Sequence, residues 1–131
     1  MSEFRVQQID HVEMFVPNRY EAAKWYRQMF GLEIVREYEF WAKEGGPLMI
    51  AAGTTKLALF EGETRGEQST AGFHRVAFCV DGTSFVEFCR QLDIPHEKAD
   101  HAKSWSVYFE DPWGHRLEVT TYDYDIVRAK Q

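Results

Sequence analysis

The chain has 131 residues, 44% of them hydrophobic and 15% aromatic, enough for a buried core without disulfide or metal staples. Its 15 Lys and Arg against 21 Asp and Glu leave a net charge of −6, and the cations are scattered, which argues against nucleic acid or an anionic membrane as partner. No run approaches transmembrane length, Met1–Gln8 lacks the apolar stretch of a signal peptide, and two cysteines form no disulfide framework, so a cytoplasmic protein with Cys79 and Cys89 as small buried thiols is expected.

Residues 6–16 read as a strand closed by Pro17-Asn18. Asn18 can cap the helix that follows, where Ala22, Ala23, Tyr26, Met29 and Phe30 fall on one face, and Gly31 stands where a C′ glycine ends it. Strand-like runs follow at Leu32 to Trp41, Leu48 to Ala52 and Lys56 to Glu61, separated by Gly45-Gly46-Pro47 and Gly53-Thr54-Thr55. Residues 62–70 are polar and glycine-bearing, the one linker-like stretch. The pattern then restarts with a strand at about 72–80 and a helix at about 83–92 that turns Phe85, Phe88, Cys89 and Leu92 inward. Shorter strands are expected near 95–99, 104–110 and 115–122, broken by the turn Asp111-Pro112-Trp113-Gly114, and the polar tail from Asp123 is weakly helical at best.

Two βαβββ modules, about 6–61 and about 71–122, therefore account for almost the whole of a single domain. The repeat extends to single residues. His11 and His74 stand 63 positions apart, and the same shift lays Arg27-Gln28 on Arg90-Gln91 and Trp25 on Phe88. Strand parity puts His11, Glu13 and Phe15 on one face and Arg116, Glu118, Thr120 and Tyr122 on another, both mixed polar and aromatic, as a pocket is. The strand of His74 gives no such distinction, because both of its faces are largely apolar. Glu118, between Leu117 and Val119, is an unusual carboxylate for a structural role, since a buried one needs a partner.

Four segments together resemble the vicinal oxygen chelate superfamily of glyoxalase I, extradiol dioxygenases, and fosfomycin- and bleomycin-resistance proteins. They are Ile9-Asp10-His11-Val12, the helix from Glu21 to Phe30-Gly31-Leu32, Gly72-Phe73-His74-Arg75-Val76-Ala77-Phe78, and Tyr108 through Glu118. The resemblance covers about residues 8–122 and implies an α+β fold, paired βαβββ modules forming a curled mixed-sheet cleft. It further implies a divalent metal (Fe, Mn, Ni or Zn) on His11, His74 and Glu118, with coordination positions left for a substrate bearing two adjacent oxygens. The second shell such histidines need is expected from Asp10, Glu13 or backbone carbonyls.

The glyoxalase pattern adds a glutamate from the fourth strand. The one carboxylate near that place is Glu61, at the strand's very end. An extradiol-like signature is partly present in His101, Tyr108, Asp111-Pro112-Trp113-Gly114 and Glu118, but residues 59–73 contain no acid–base histidine before His74. The basic cluster that the fosfomycin branch needs is absent from residues 85–110. Tyr108 and Glu118 are the candidate catalytic side chains, Tyr108 as a hydrogen-bond donor to substrate. The implied function is a metal-dependent small-molecule enzyme with lyase, isomerase or dioxygenase-like chemistry, working as a homodimer. The alternative is a metal-free binding protein of the bleomycin-resistance type.

Overall fold

In the first unit, alternating apolar residues build a four-stranded sheet, and one long helix covers one of its faces. The computed structural model describes residues 5, 7–63, 73 and 75–131, and the chain divides into two compact units, Met1–Thr64 and Arg65–Gln131. Strand β1 (Val12–Val16) runs parallel to β4 (Thr55–Glu61), which pairs with β3 (Leu48–Ala52), itself paired with the short β2 (Glu33–Ile34). Helix α1 (Arg19–Phe30) opens on Asn18, whose side chain accepts from the Glu21 N–H at 3.0 Å, and closes on Gly31 at φ 73°, a left-handed conformation natural to glycine. Its inward residues Ala22, Ala23 and Tyr26 pack toward the sheet face made by Met14, Val16, Leu48, Ile50, Leu57 and Leu59, all buried. Each large aliphatic side chain so buried contributes about 1.5–3 kcal/mol.

The second unit repeats this architecture. Its sheet has the order β5 (Val76–Cys79), β8 (Arg116–Thr121), β7 (Trp105–Glu110), β6 (Glu97–Asp100), with β5 parallel to β8. Helix α3 (Gly82–Gln91) is capped by Asp81, whose side chain accepts from the Ser84 N–H at 2.8 Å. Phe85 is fully buried, and Phe88 lies 5.6 Å from Phe109, ring centre to ring centre. Strand and helix composition, order and pairing make the chain α+β, as its sequence implies.

Three expectations need correction. The run Leu32 to Trp41 is not one strand: after Ile34 the chain makes a 3-10 turn at Arg36–Tyr38 and a short helix α2 (Glu39–Lys43). Tyr20 and Arg36 hold Glu39 by hydrogen bonds of 2.8 and 3.0 Å, which fixes this turn against α1. The tail is also more ordered than its polarity suggests. Helix α4 (Tyr124–Arg128) buries Val127 completely, and Asp123 accepts the Gly82 N–H at 2.8 Å. A β-carbon on Gly82 would lie 2.8 Å from that of Asp123, so only glycine lets α4 seat against α3. Finally, Cys79 is exposed rather than buried, because it points to the sheet face away from α3. Among the described residues no helix is long and apolar enough to cross a membrane.

Candidate functional site

The side chains with chemistry lie on the faces away from the helices. In the first unit this face carries Glu13 and Phe15 from β1, Ala58 and Phe60 opposite them on β4, and Met49 on β3. His11 immediately precedes β1 and turns to the same side. Its Nδ1 is 2.8 Å from Asp10 Oδ2 and its Nε2 is 3.0 Å from Glu13 Oε2. Lys56 holds the other Asp10 oxygen at 2.8 Å. These hydrogen bonds, Asp10 first and then Glu13, raise the His11 pKa above its ordinary value of 6.5, while the Lys56 and His11 contacts lower that of Asp10.

The pH consequence has a definite sign. A raised folded-state pKa makes the His11 contribution to stability fully present below about pH 6.5 and removes it as pH climbs through the raised value. In metal-free protein, the His11 ring resonances are expected to titrate above pH 6.5, and Asp10→Asn with Glu13→Gln to bring them back to it. A midpoint at or below 6.5 in the unmodified protein contradicts the geometry.

A cavity of about 600 Å³ opens beside His11, wholly within the first unit. Asp10, His11, Met49 and Lys56 line it from the sheet, and Tyr38, Trp41 and Pro47 line it from the segment that follows β2. In the second unit, Glu118 sits opposite Ala77 on one side and Tyr108 on the other. Ser106 donates to Glu118 Oε2 at 2.8 Å, and the Tyr108 hydroxyl is 2.7 Å from His101 Nε2. The Arg75 guanidinium lies 4.4 Å from the centre of the Tyr108 ring, a cation–π contact. His74 lies outside the described residues. Among the described residues, no three His, Cys, Asp or Glu side chains are grouped to hold a metal ion.

This repeated module, with its chemistry gathered on the helix-free faces, matches a known family model over residues 8–119. The chain belongs to the Glyoxalase/Bleomycin resistance protein/Dioxygenase superfamily. Solved structures agree on the fold. A protein from Bacillus anthracis assigned to the glyoxalase family is 25% identical, with 92% of this chain and 99% of that one covered and a TM-score of 0.70. A glyoxalase/dioxygenase from Nostoc punctiforme is 18% identical over 93% and 95% of the two chains, TM-score 0.73. A fosfomycin resistance protein from Listeria monocytogenes, solved with Mn(II) and sulfate, is 13% identical over 96% and 98%, TM-score 0.67.

Strand register sharpens what the superfamily pattern means here. Val12 is the first residue of β1 and pairs with Leu57; Val76 is the first residue of β5 and pairs with Leu117. The residue before Val12 is His11, and the residue before Val76 is Arg75. Strand positions therefore repeat at 64 residues, whereas the helix caps Asn18 and Asp81 repeat at 63. One residue fewer joins strand to cap in the second unit, so a single shift cannot align both elements. The internal counterpart of His11 is Arg75, a residue that sequence reasoning passed over.

The same register locates the fourth-strand position. Glu118 follows Leu117 as Ala58 follows Leu57, so alanine stands in the first unit where the second has its carboxylate. Glu61 pairs with Val16, on the alternation that faces α1, and its nearest cation is Arg19 at 3.9 Å. Among the described residues, His11 in the first unit and Glu118 in the second are the predicted ligands that stand on a helix-free face. Of the other expectations, Asp10 does hydrogen-bond His11 at Nδ1. Asp10 was legible as the neighbour of His11; Lys56, Ser106 and Tyr38 carry no sequence signal that marks them.

Proposed function

We propose that this chain is a small-molecule metalloenzyme of the vicinal oxygen chelate type, with a divalent ion on His11, His74 and Glu118. The observation that carries the reading is the His11 arrangement: Asp10 fixes Nδ1, which leaves Nε2 as the donor atom, the usual support for a metal-bound imidazole. Ser106 likewise fixes one oxygen of Glu118 and leaves the other to act. That the Listeria monocytogenes fosfomycin resistance protein was solved with Mn(II) supports a divalent ion in general. His11 and Glu118 have the donor chemistry that such an ion needs, His11 once Glu13 releases Nε2. Glu61 is not included, since it shares its face with Val16 and Leu59 and not with His11.

When bound, the ion supplies Lewis acidity toward a substrate with two neighbouring oxygens. The chain's own part is to orient and to move protons. Tyr108, held by His101, donates a hydrogen bond to the substrate from the face that Glu118 shares. Glu13, displaced from His11, is the carboxylate placed to accept a proton. We further infer a homodimer, read by light scattering as twice the 15.4 kDa of the chain.

The test is equilibrium dialysis after anaerobic loading with Fe(II), Mn(II), Ni(II) or Zn(II). The unmodified protein is expected to bind one ion per chain, and His11→Ala and Glu118→Gln each to weaken it by at least about tenfold. Variants that bind as the unmodified protein does overturn the ligand set. A second reading, metal-free sequestration of a small molecule, is favoured by Arg75 at the counterpart of His11, because a guanidinium never deprotonates to become a ligand. Absence of binding by any of the four ions selects that reading.

A further inference from the structure

We infer that the cavity beside His11 is a stacking site for a planar aromatic ligand that carries an uncharged hydroxyl or carbonyl oxygen at one end. This deepens the reading of the His11 face as the reaction site and rests on it, but it does not require the ion. The Tyr38 and Trp41 rings lie 4.6 Å apart and only 4° from parallel, yet they remain 36% and 37% exposed while lining the cavity. Rings that pack merely to fill a core are covered by it; these two are stacked on each other and left partly uncovered beside a void. The void, about 600 Å³, is in the range of sites for small organic ligands.

The wall is also held rigidly, as a binding surface benefits from being. Gly46 donates its N–H to the Trp41 carbonyl at 2.7 Å, and the Arg19 guanidinium donates to the Gly46 carbonyl at 2.7 Å. A β-carbon on Gly46 would come within 3.1 Å of the Trp41 carbonyl oxygen, so glycine permits this close approach. Tyr20 and Arg36 tie the first residue of α2 from the other side. Pro47 and Met49 continue the apolar lining, and Met49, a polarizable thioether, suits an aromatic neighbour.

The opposite end is polar. Lys56 and His11 face Asp10 and Glu13 there, and Glu44 also lines the cavity, so carboxylates outnumber the potential cations. An anionic group on the ligand is disfavoured by such a set, whereas a neutral oxygen able to donate or accept finds both kinds of partner. The polar end thus favours a neutral group over an anion, and the wall a flat one.

The experiment compares 2-naphthol with its saturated analogue, decahydro-2-naphthol, by isothermal titration of the full chain, once with a chelator and once with Mn(II). The flat ligand is expected to bind at least about tenfold tighter in both arms, and Trp41→Leu to bring the two ligands to parity. Equal binding by the unmodified protein overturns the inference, as does a preference that survives Trp41→Leu. If the circular dichroism of that variant differs from the unmodified protein's, Tyr38→Leu takes its place with the same criteria. The metal assignment fails separately: loss of ion binding with the aromatic preference intact leaves this site standing.

Discussion

Replacing Arg75 by histidine is expected to raise the affinity for a divalent ion by at least about tenfold. Arg75 precedes Val76 as His11 precedes Val12, and alternation along β5 puts it on the side of Ala77, which pairs with Glu118. A guanidinium there adds a fixed positive charge on the face of Glu118, the carboxylate proposed to meet the ion, and opposes a second positive charge by simple Coulomb repulsion. An imidazole removes that charge and adds a donor on the same side as Glu118. Equilibrium dialysis at pH 7.5 with Mn(II) and Ni(II) reads the change. A variant no tighter than the unmodified protein contradicts this expectation and puts position 75 outside the metal's reach.

The largest effect on stability is expected at Asp111. Its side chain is buried, and Oδ1 accepts the N–H groups of Trp113 and His115 at 2.9 Å each while Oδ2 meets His115 Nδ1 at 2.6 Å. The Asp111 N–H in turn donates to the His115 carbonyl at 3.0 Å. This knot closes the turn, in which Gly114 takes φ 88°, and sets where β8 begins, and hence where Glu118 stands. Asp111→Ala orphans two backbone donors and one ring nitrogen in a partly buried site, a loss of about 3 kcal/mol. Asp111→Asn keeps one acceptor oxygen and is expected to lose clearly less. Urea unfolding measures both, and an alanine variant within about 0.5 kcal/mol of the unmodified protein contradicts this role.

Both predictions show where the sequence was readable and where it was not. The modules were legible because Met14, Val16, Leu57 and Leu59 alternate as strand residues facing one helix must. The caps Asn18 and Gly31 of the first module could be found from local chemistry alone, since each answers a backbone need within four residues. Register is different in kind. The offset between repeats passes from 64 to 63 inside one short connection, and nothing in composition marks the missing residue. A single shift therefore aligned the helices and mislaid the strand, and with it Arg75.

The segment after β2 failed for a related reason. Tyr38, Phe40 and Trp41 read as strand residues by propensity, but β2 pairs with β3 only through Glu33 and Ile34. Beyond Val35, whose N–H still reaches the Met49 carbonyl, the hydrogen bonds are local and helical, and Glu39 is held by side chains from α1 and the turn itself. That local rearrangement is what stacks Tyr38 on Trp41 at the cavity beside His11. At α4 the apolar content is slight, yet Val127 is wholly buried because Gly82 admits the helix so closely. Tertiary packing decided both segments, and their own residues did not announce it.

The most direct test of the account is X-ray absorption at the metal edge of protein loaded anaerobically with Ni(II), compared with the His11→Ala variant loaded in the same way. The account predicts nitrogen and oxygen ligation with the outer-shell scattering of imidazole, and the loss of one imidazole's worth of that signal in the variant. A nickel environment identical in the two proteins contradicts it.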